Sequence, residues 1–188
     1  MLETDKKYQI IYADPAWSYS FSAKNGQKNI TGCANQHYNT MTVKDICNLP
    51  IKELADKDCV LFIWGTMPLL KECFEVINAW GFKYKTCAFS WVKLNKDGTP
   101  FTGMGFWTRS NMEICLLAVK GKPKRVNASV PQAILSVIGE HSAKPHEIYS
   151  RIEKLMGKLP RIELFARHKR EGWDTWGNQV PKDTQKLL

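Results

Sequence analysis

The densest chemistry in the chain lies near its start, where Tyr8-Gln9-Ile10-Ile11-Tyr12-Ala13 runs straight into Asp14-Pro15-Ala16-Trp17. The first six residues have the pattern of a buried strand, and an acid at the carboxyl end of such a strand faces the crevice where open α/β sheets bind ligands. Pro15 has no amide hydrogen and a fixed φ, so its carbonyl is held within a narrow range of directions. A carboxylate, a rigid carbonyl and a flat indole together suit one task. The exocyclic amine of adenine is a poor nucleophile because its lone pair is delocalised into the ring, and two acceptors gripping its hydrogens favour the pyramidal, nucleophilic form. Asp14 and the Pro15 carbonyl are two such acceptors. Trp17 could stack on the base once it is flipped out of its strand, a contact worth about 1–3 kcal/mol. A plain turn at a strand end uses the same residue types.

The elements that must position these groups follow from periodicity. Cys59 to Trp64, Thr86 to Val92, Ile114 to Val119 and Ile162 to Ala166 repeat the short apolar pattern of the first strand, which marks strands buried on both faces of a mainly parallel sheet. Met67, Leu70, Phe74 and Ile77 recur at helical spacing, as do Ile148, Ile152, Leu155 and Met156 behind Pro145, a favoured first-turn residue. Thr42 and Asp45 resemble a capping box that opens a shorter helix toward Leu49. Alternating strands and helices predict a three-layer α/β sandwich with its ligand loops after the strands. Ser18 to Met41, Lys93 to Met112 and Lys120 to Ser142 fit no regular element, and loops of such length usually bind substrate or move.

Composition sets the outer bounds. The 188 residues, 44% hydrophobic and 24% charged, suffice for one domain spanning 1–188, with no repeat or linker that would divide it. Apolar stretches such as Val60 to Trp64, none longer than six residues, are far too short for a membrane helix, and the polar start lacks the core of a signal peptide. A soluble, cytoplasmic protein is expected, with no membrane partner. Lysine and arginine number 27 against 18 acids, a net charge of +9 that favours a polyanionic partner. The six cysteines include no Cys-x-x-Cys pair, so no metal is expected and the thiols read as small hydrophobes.

Beyond these readings, Asp14-Pro15-Ala16-Trp17 resembles the Asp-Pro-Pro-Trp signature of the MT-A70 family of N6-adenine methyltransferases. The likeness continues through Tyr38-Asn39-Thr40-Met41, Leu61-Phe62-Ile63-Trp64, Phe89-Ser90-Trp91-Val92-Lys93 and Gly105-Phe106-Trp107-Thr108-Arg109. It runs on in Glu113 to Gly121, Ser142-Ala143-Lys144-Pro145, Ile162 to Arg167 and Gly172 to Gln179, nearly the whole chain. The resemblance implies a Rossmann-like, class I S-adenosylmethionine-dependent methyltransferase fold with permuted motif order, the catalytic motif leading and the cofactor segments following. It implies that Asp14 also meets the cofactor's amino group, that Lys144 holds its carboxylate, and that Arg167, matching the arginine that closes the Glu-Leu-Phe strand, is a further cofactor-binding residue. Asn178 and Gln179 would grip the ribose hydroxyls. An ammonium, a carboxylate and a diol do call for an anion, a cation and amides.

The chain departs from the family pattern in places. Ala16 replaces the second proline and leaves the backbone less restrained. His168-Lys169-Arg170 stands where eukaryotic members carry Pro-His-Asn, so ribose or methionine contacts are not carried over there. Little chain precedes the first strand, so another loop is expected to supply the cofactor-adenine contact. No Gly-x-Gly-x-x-Gly occurs, and the cofactor assignment rests on the resemblance alone.

For the substrate, Tyr38, Trp91, Trp107, Arg109 and Glu113 are candidates to hold a flipped base or its neighbours. The basic runs Lys120 to Arg125, with Lys122, Lys124 and Arg125, and Arg167 to Arg170 are candidate phosphate contacts, both expected beside the active site. DNA is the expected polymer and RNA the second, for a monomer or homodimer with room for a partner subunit. The competing class is a noncatalytic nucleic-acid-binding subunit. Against it stand Asp14, Lys144 and Asn178, all retained. Methylation of a small molecule or protein amine fits the positive charge less well.

Overall fold

The computed structural model describes residues 5–18, 40–105, 107–139, 143–178 and 180. Seven strands among them form one sheet: β1 (Tyr8–Ala13), β2 (Ala55–Gly65), β3 (Lys83–Leu94), β4 (Met112–Lys120), β5 (Ala133–Val137), β6 (Arg161–Leu164) and β7 (Asp174–Trp176), in the order β5-β3-β4-β2-β1-β6-β7. β1 pairs in parallel with β2 and β6, β6 with β7, and β3 with β5. β4 alone is reversed, antiparallel to both β2 and β3. The carboxyl ends of six strands and the amino end of β4 therefore share one edge of the sheet, here the carboxyl edge; the other is the amino edge.

Helices cover both faces. Ile11, Ala13, Leu61, Ile63 and Leu164 pack on one side against Ile46, Cys73, Val76 and Ile77, the last three from α3 (Leu70–Ala79), which follows a 3-10 turn at Met67–Leu69. Ile46 belongs to α1 (Val43–Cys47), and α2 (Ile51–Leu54) adds Ile51 and Leu54 to the same side. Ile10, Tyr12, Phe62 and Trp64 face the other way, onto Ile148, Ile152 and Met156 of α4 (Glu147–Met156). That alternation explains why β1 is buried almost throughout. The architecture is a Rossmann-like three-layer sandwich.

The expected helices are present. Thr42 accepts from the Asp45 amide at 3.1 Å and donates to its carboxylate at 2.7 Å, the predicted cap of α1. Cys59, Cys73 and Cys115 are buried and free, as small hydrophobes should be. Two strands go beyond the sequence reading. β5 lies inside the segment read as a loop from Lys120 to Ser142, and β7 was unassigned. No helix among the described residues is long and apolar enough to cross a membrane.

Candidate active site

β1 delivers Asp14 to the carboxyl edge. Its last residue, Ala13, pairs with Ile63 of β2 on one side and Leu164 of β6 on the other. The chain crosses from β5, on the far side of the sheet, to β6 beside β1, and such a switch point is where open α/β sheets bind ligands.

The motif backbone is pinned from two sides. Trp17 donates its amide to the Pro15 carbonyl at 2.8 Å, closing a tight turn. Met41 donates to the Ala16 carbonyl at 2.9 Å, and Ser18 to the Met41 carbonyl at 3.2 Å. These bonds supply restraint that a second proline would otherwise give. The Pro15 oxygen retains a second lone pair for a substrate amine.

Trp17 does not take the stacking role expected of it. Its ring is 4% exposed, packed in the core, and its Nε1 donates to the Trp64 carbonyl at 3.1 Å. The indole holds the turn against the end of β2 and offers no face to a base. Trp91 is likewise buried, donating to the Ser136 carbonyl at 3.3 Å and meeting Trp64 edge-on at 6.5 Å.

Beside Asp14 runs a chain of alternating charges. Lys144, just ahead of buried Pro145 and α4, places Nζ 2.7 Å from Asp14 Oδ2 and 3.3 Å from Glu113 Oε2. Glu113, at the start of β4, also binds Lys93 from the end of β3 at 2.5 Å. The Lys144 ammonium lies 5.5 Å from the Trp64 ring centre, a cation–π distance. Burial drives the Asp14 pKa above the ordinary carboxylate value, although the Lys144 and Arg167 charges pull it back. Burial acts the same way on Glu113, yet its two lysines hold it below its usual value. Burial would lower Lys144, but Asp14 and Glu113 keep its pKa above the lysine norm. Lys144 is thus a fixed cation between two acids.

The sequence reading left Lys93 without a role and missed a second polar group below the same edge. Glu163 of β6 is buried beside Tyr12 and accepts from the Tyr149 hydroxyl at 2.9 Å. Arg170 lies 3.6 Å over the Tyr149 ring and 3.1 Å from His146 Nδ1. Burial raises the Glu163 pKa to about 7, against the Tyr149 bond and Arg170 charge that lower it. A glutamate in an otherwise apolar strand pattern was the available signal.

After β6, Phe165 has φ +62°, a left-handed conformation that is costly for a bulky residue and clusters at ligand sites. Its ring meets Trp176 at 5.4 Å, and the Ala166 amide donates to the Trp176 carbonyl at 2.9 Å. A Cβ at Gly177 would stand 2.1 Å from the Ala166 oxygen, so only glycine lets the end of β7 close on this turn. No motif in the sequence announced the Phe165 strain.

Arg167 follows this turn, near enough to lower the Asp14 pKa. Asn178 is exposed just past β7, two strand spacings or roughly 10 Å from β1. Tyr38 and Gln179 lie outside the described residues. Trp107, at 101% relative exposure, and exposed Arg109 belong to the loop from β3 to β4 on the carboxyl edge. Lys122, Lys124 and Arg125 do not join the site. They follow β4, whose reversal pairs Lys120 with Cys59 and sends them to the amino edge. Of the two basic runs expected beside the active site, the structure brings only Arg167 to Arg170 there.

The donor set fits S-adenosylmethionine. A partly buried acid, a partly buried lysine and an arginine converge at the switch point for an amino-acid end, and an exposed amide stands two strands away for a diol.

Comparison with known proteins agrees with this geometry. The family model described as MT-A70 matches residues 8–179. The type II methyltransferase M.MunI of Mycoplasma sp is 34% identical over 190 residues, covering 94% of this chain and 79% of that protein. The human N(6)-adenosine-methyltransferase catalytic subunit METTL3 is 33% identical over 93% of this chain, and the Arabidopsis thaliana MT-A70-like N(6)-adenosine-methyltransferase 31% over 92%. The chain spans only 28% and 24% of those two proteins. With a family match running from β1 to the last motif, this chain belongs to the MT-A70 family of methyltransferases.

Proposed function

We propose that the chain transfers a methyl group from S-adenosylmethionine to N6 of an adenine in nucleic acid, with DNA as the polymer. The observation that carries this reading is the pairing at the β1 end: a partly buried carboxylate and a turn-fixed carbonyl on adjacent residues, with a lysine bound to that carboxylate. When bound, S-adenosylmethionine supplies a methyl group on a positively charged sulfur. Asp14 and the Pro15 carbonyl accept the two amine hydrogens and aim the nitrogen lone pair out of the ring plane. Lys144 and Arg167 favour the ionised form of Asp14, which is the form able to accept. Lys144 and Arg167 bind the cofactor's carboxylate end, Asp14 its ammonium, and Asn178 with Gln179 its ribose. Trp17 and Trp91 hold the turn and the strand end in place.

The extent of the relatives favours DNA. The chain covers most of a type II methyltransferase and under a third of the adenosine methyltransferases. The test is to incubate the protein with S-adenosylmethionine and DNA, digest the polymer and identify the nucleosides by mass. N6-methyldeoxyadenosine is expected. Methylation found only on RNA adenosine would reassign the polymer, and methylation of cytosine would reject the reading.

A further inference from the structure

The basic run that the reversed β4 carries away from the active site does not stand alone. Five neighbouring strands, β3, β4, β2, β1 and β6, each present an exposed lysine at the amino edge. Lys83 opens β3, Lys122 follows β4, Lys57 is the third residue of β2, Lys7 precedes β1 and Lys158 precedes β6. Register keeps them abreast: Lys83 pairs with Val119 and Cys59 with Lys120, and a Cβ at Gly121 would stand 2.1 Å from the Lys57 oxygen. Lys124 and Arg125, both exposed, flank the row. At strand spacing the row runs roughly 19 Å, the axial length of about five to six base pairs of DNA.

Of the carboxylates near this edge, two are held by neighbouring side chains, and two, Asp56 and Asp58, lie within the row and accept backbone amides of its lysines. Asp174 binds Lys6, and Glu153 binds Arg161 and the Trp173 indole. Asp58 accepts the Lys122 amide at 2.7 Å, and Asp56 accepts the Lys57 amide. Lys7 donates to the Glu53 backbone carbonyl, which leaves its charge uncompensated. Among the described residues none of the five lysines forms an ion pair with a carboxylate.

We propose that the amino edge is a second nucleic-acid contact surface, which grips a flanking segment of the polymer by its phosphates while the carboxyl edge acts on the base. β1 separates the two edges by roughly 20 Å, so one straight strand cannot lie on both. The surface recognises phosphate without reading sequence. It rests on the methyl-transfer reading only for the identity of the polymer.

The test compares the intact protein with a Lys57→Gln/Lys83→Gln/Lys122→Gln/Lys124→Gln variant, and with Lys44→Gln/Lys71→Gln on α1 and α3 as a charge control. Binding to a duplex of about 60 base pairs is measured across salt concentrations, with methyl transfer to an oligonucleotide of about 10 in parallel. For the long duplex, the four-site variant should flatten the log–log salt slope by about three to four and weaken binding at physiological salt by at least about tenfold. Transfer to the short oligonucleotide should be unchanged, which also reports an intact fold. An unchanged slope, or an equal loss per charge in the helix control, overturns the proposal. So does unaltered DNA binding with lost affinity for phosphatidylserine vesicles, which would make this a membrane surface. A protein inactive on every polymer that still shows the lysine-dependent slope overturns the methyl-transfer reading and leaves this one standing.

Discussion

The Nζ of Lys144 lies 2.7 Å from Oδ2 of Asp14, a contact between residues 130 positions apart that joins the approach to α4 to the end of β1. It sets the charge of the proposed catalytic acid, because burial raises the Asp14 pKa and the lysine is the largest influence opposing it.

Removing that cation should show in the pH profile. In Lys144→Met, burial acts on Asp14 with less opposition, so its pKa rises further and the acidic limb of kcat/KM moves to higher pH. Turnover near neutrality should fall by about tenfold or more. A profile that keeps its position while only the cofactor KM rises would confine Lys144 to cofactor binding.

Glu163 makes a prediction about stability. Its folded pKa, about 7, stands above its ordinary value of 4.5, so the folded state holds this proton more tightly than the unfolded state. The contribution is full below about pH 4.5 and is lost as pH rises toward 7. A shift of that size corresponds to on the order of 3 kcal/mol across the window. Glu163→Gln keeps an acceptor for Tyr149 and has no proton to lose. Denaturant unfolding of the cofactor-free protein should find the variant gaining on the parent as pH climbs through this window.

Trp17 should behave as a structural residue. Trp17→Phe leaves the Trp64 carbonyl without its buried donor and should cost about 1–3 kcal/mol of stability. Affinity for the polymer should change little in the fraction that remains folded.

Trp107 should behave in the opposite way. With its side chain fully exposed on the carboxyl edge, Trp107→Ala should leave the unfolding midpoint almost unchanged. If the ring stacks on a base, the same change weakens polymer binding by about 1–3 kcal/mol. Parallel unfolding and binding titrations separate the two tryptophans.

Much of this was legible because buried strands and amphipathic helices write their period into the chain. β1, α3 and α4 appear where apolar spacing placed them, and Asp14 stands at a strand end as Asp-Pro after an apolar run implied. Strand direction carries no such mark. Ile114 to Val119 reads the same whichever way β4 runs, and its reversal moved Lys122, Lys124 and Arg125 to the far edge. β5 is an edge strand with only Ile134 fully buried, and β7 has three residues, so neither shows a full buried period. The Lys93–Glu113–Lys144–Asp14 chain draws on four separate segments. Only the sheet order brings them together.

The most direct test of the central claim is tritiated methyl transfer from S-adenosylmethionine to single-stranded DNA, duplex DNA and RNA of matched sequence, with Asp14→Ala beside the parent protein. Incorporation into adenine should be strongest on DNA and should fall by at least about a hundredfold in the variant, with a retained cooperative unfolding transition above the assay temperature as the fold control. Near-parental transfer by Asp14→Ala, or cofactor binding without transfer to any of the three polymers, would contradict the account.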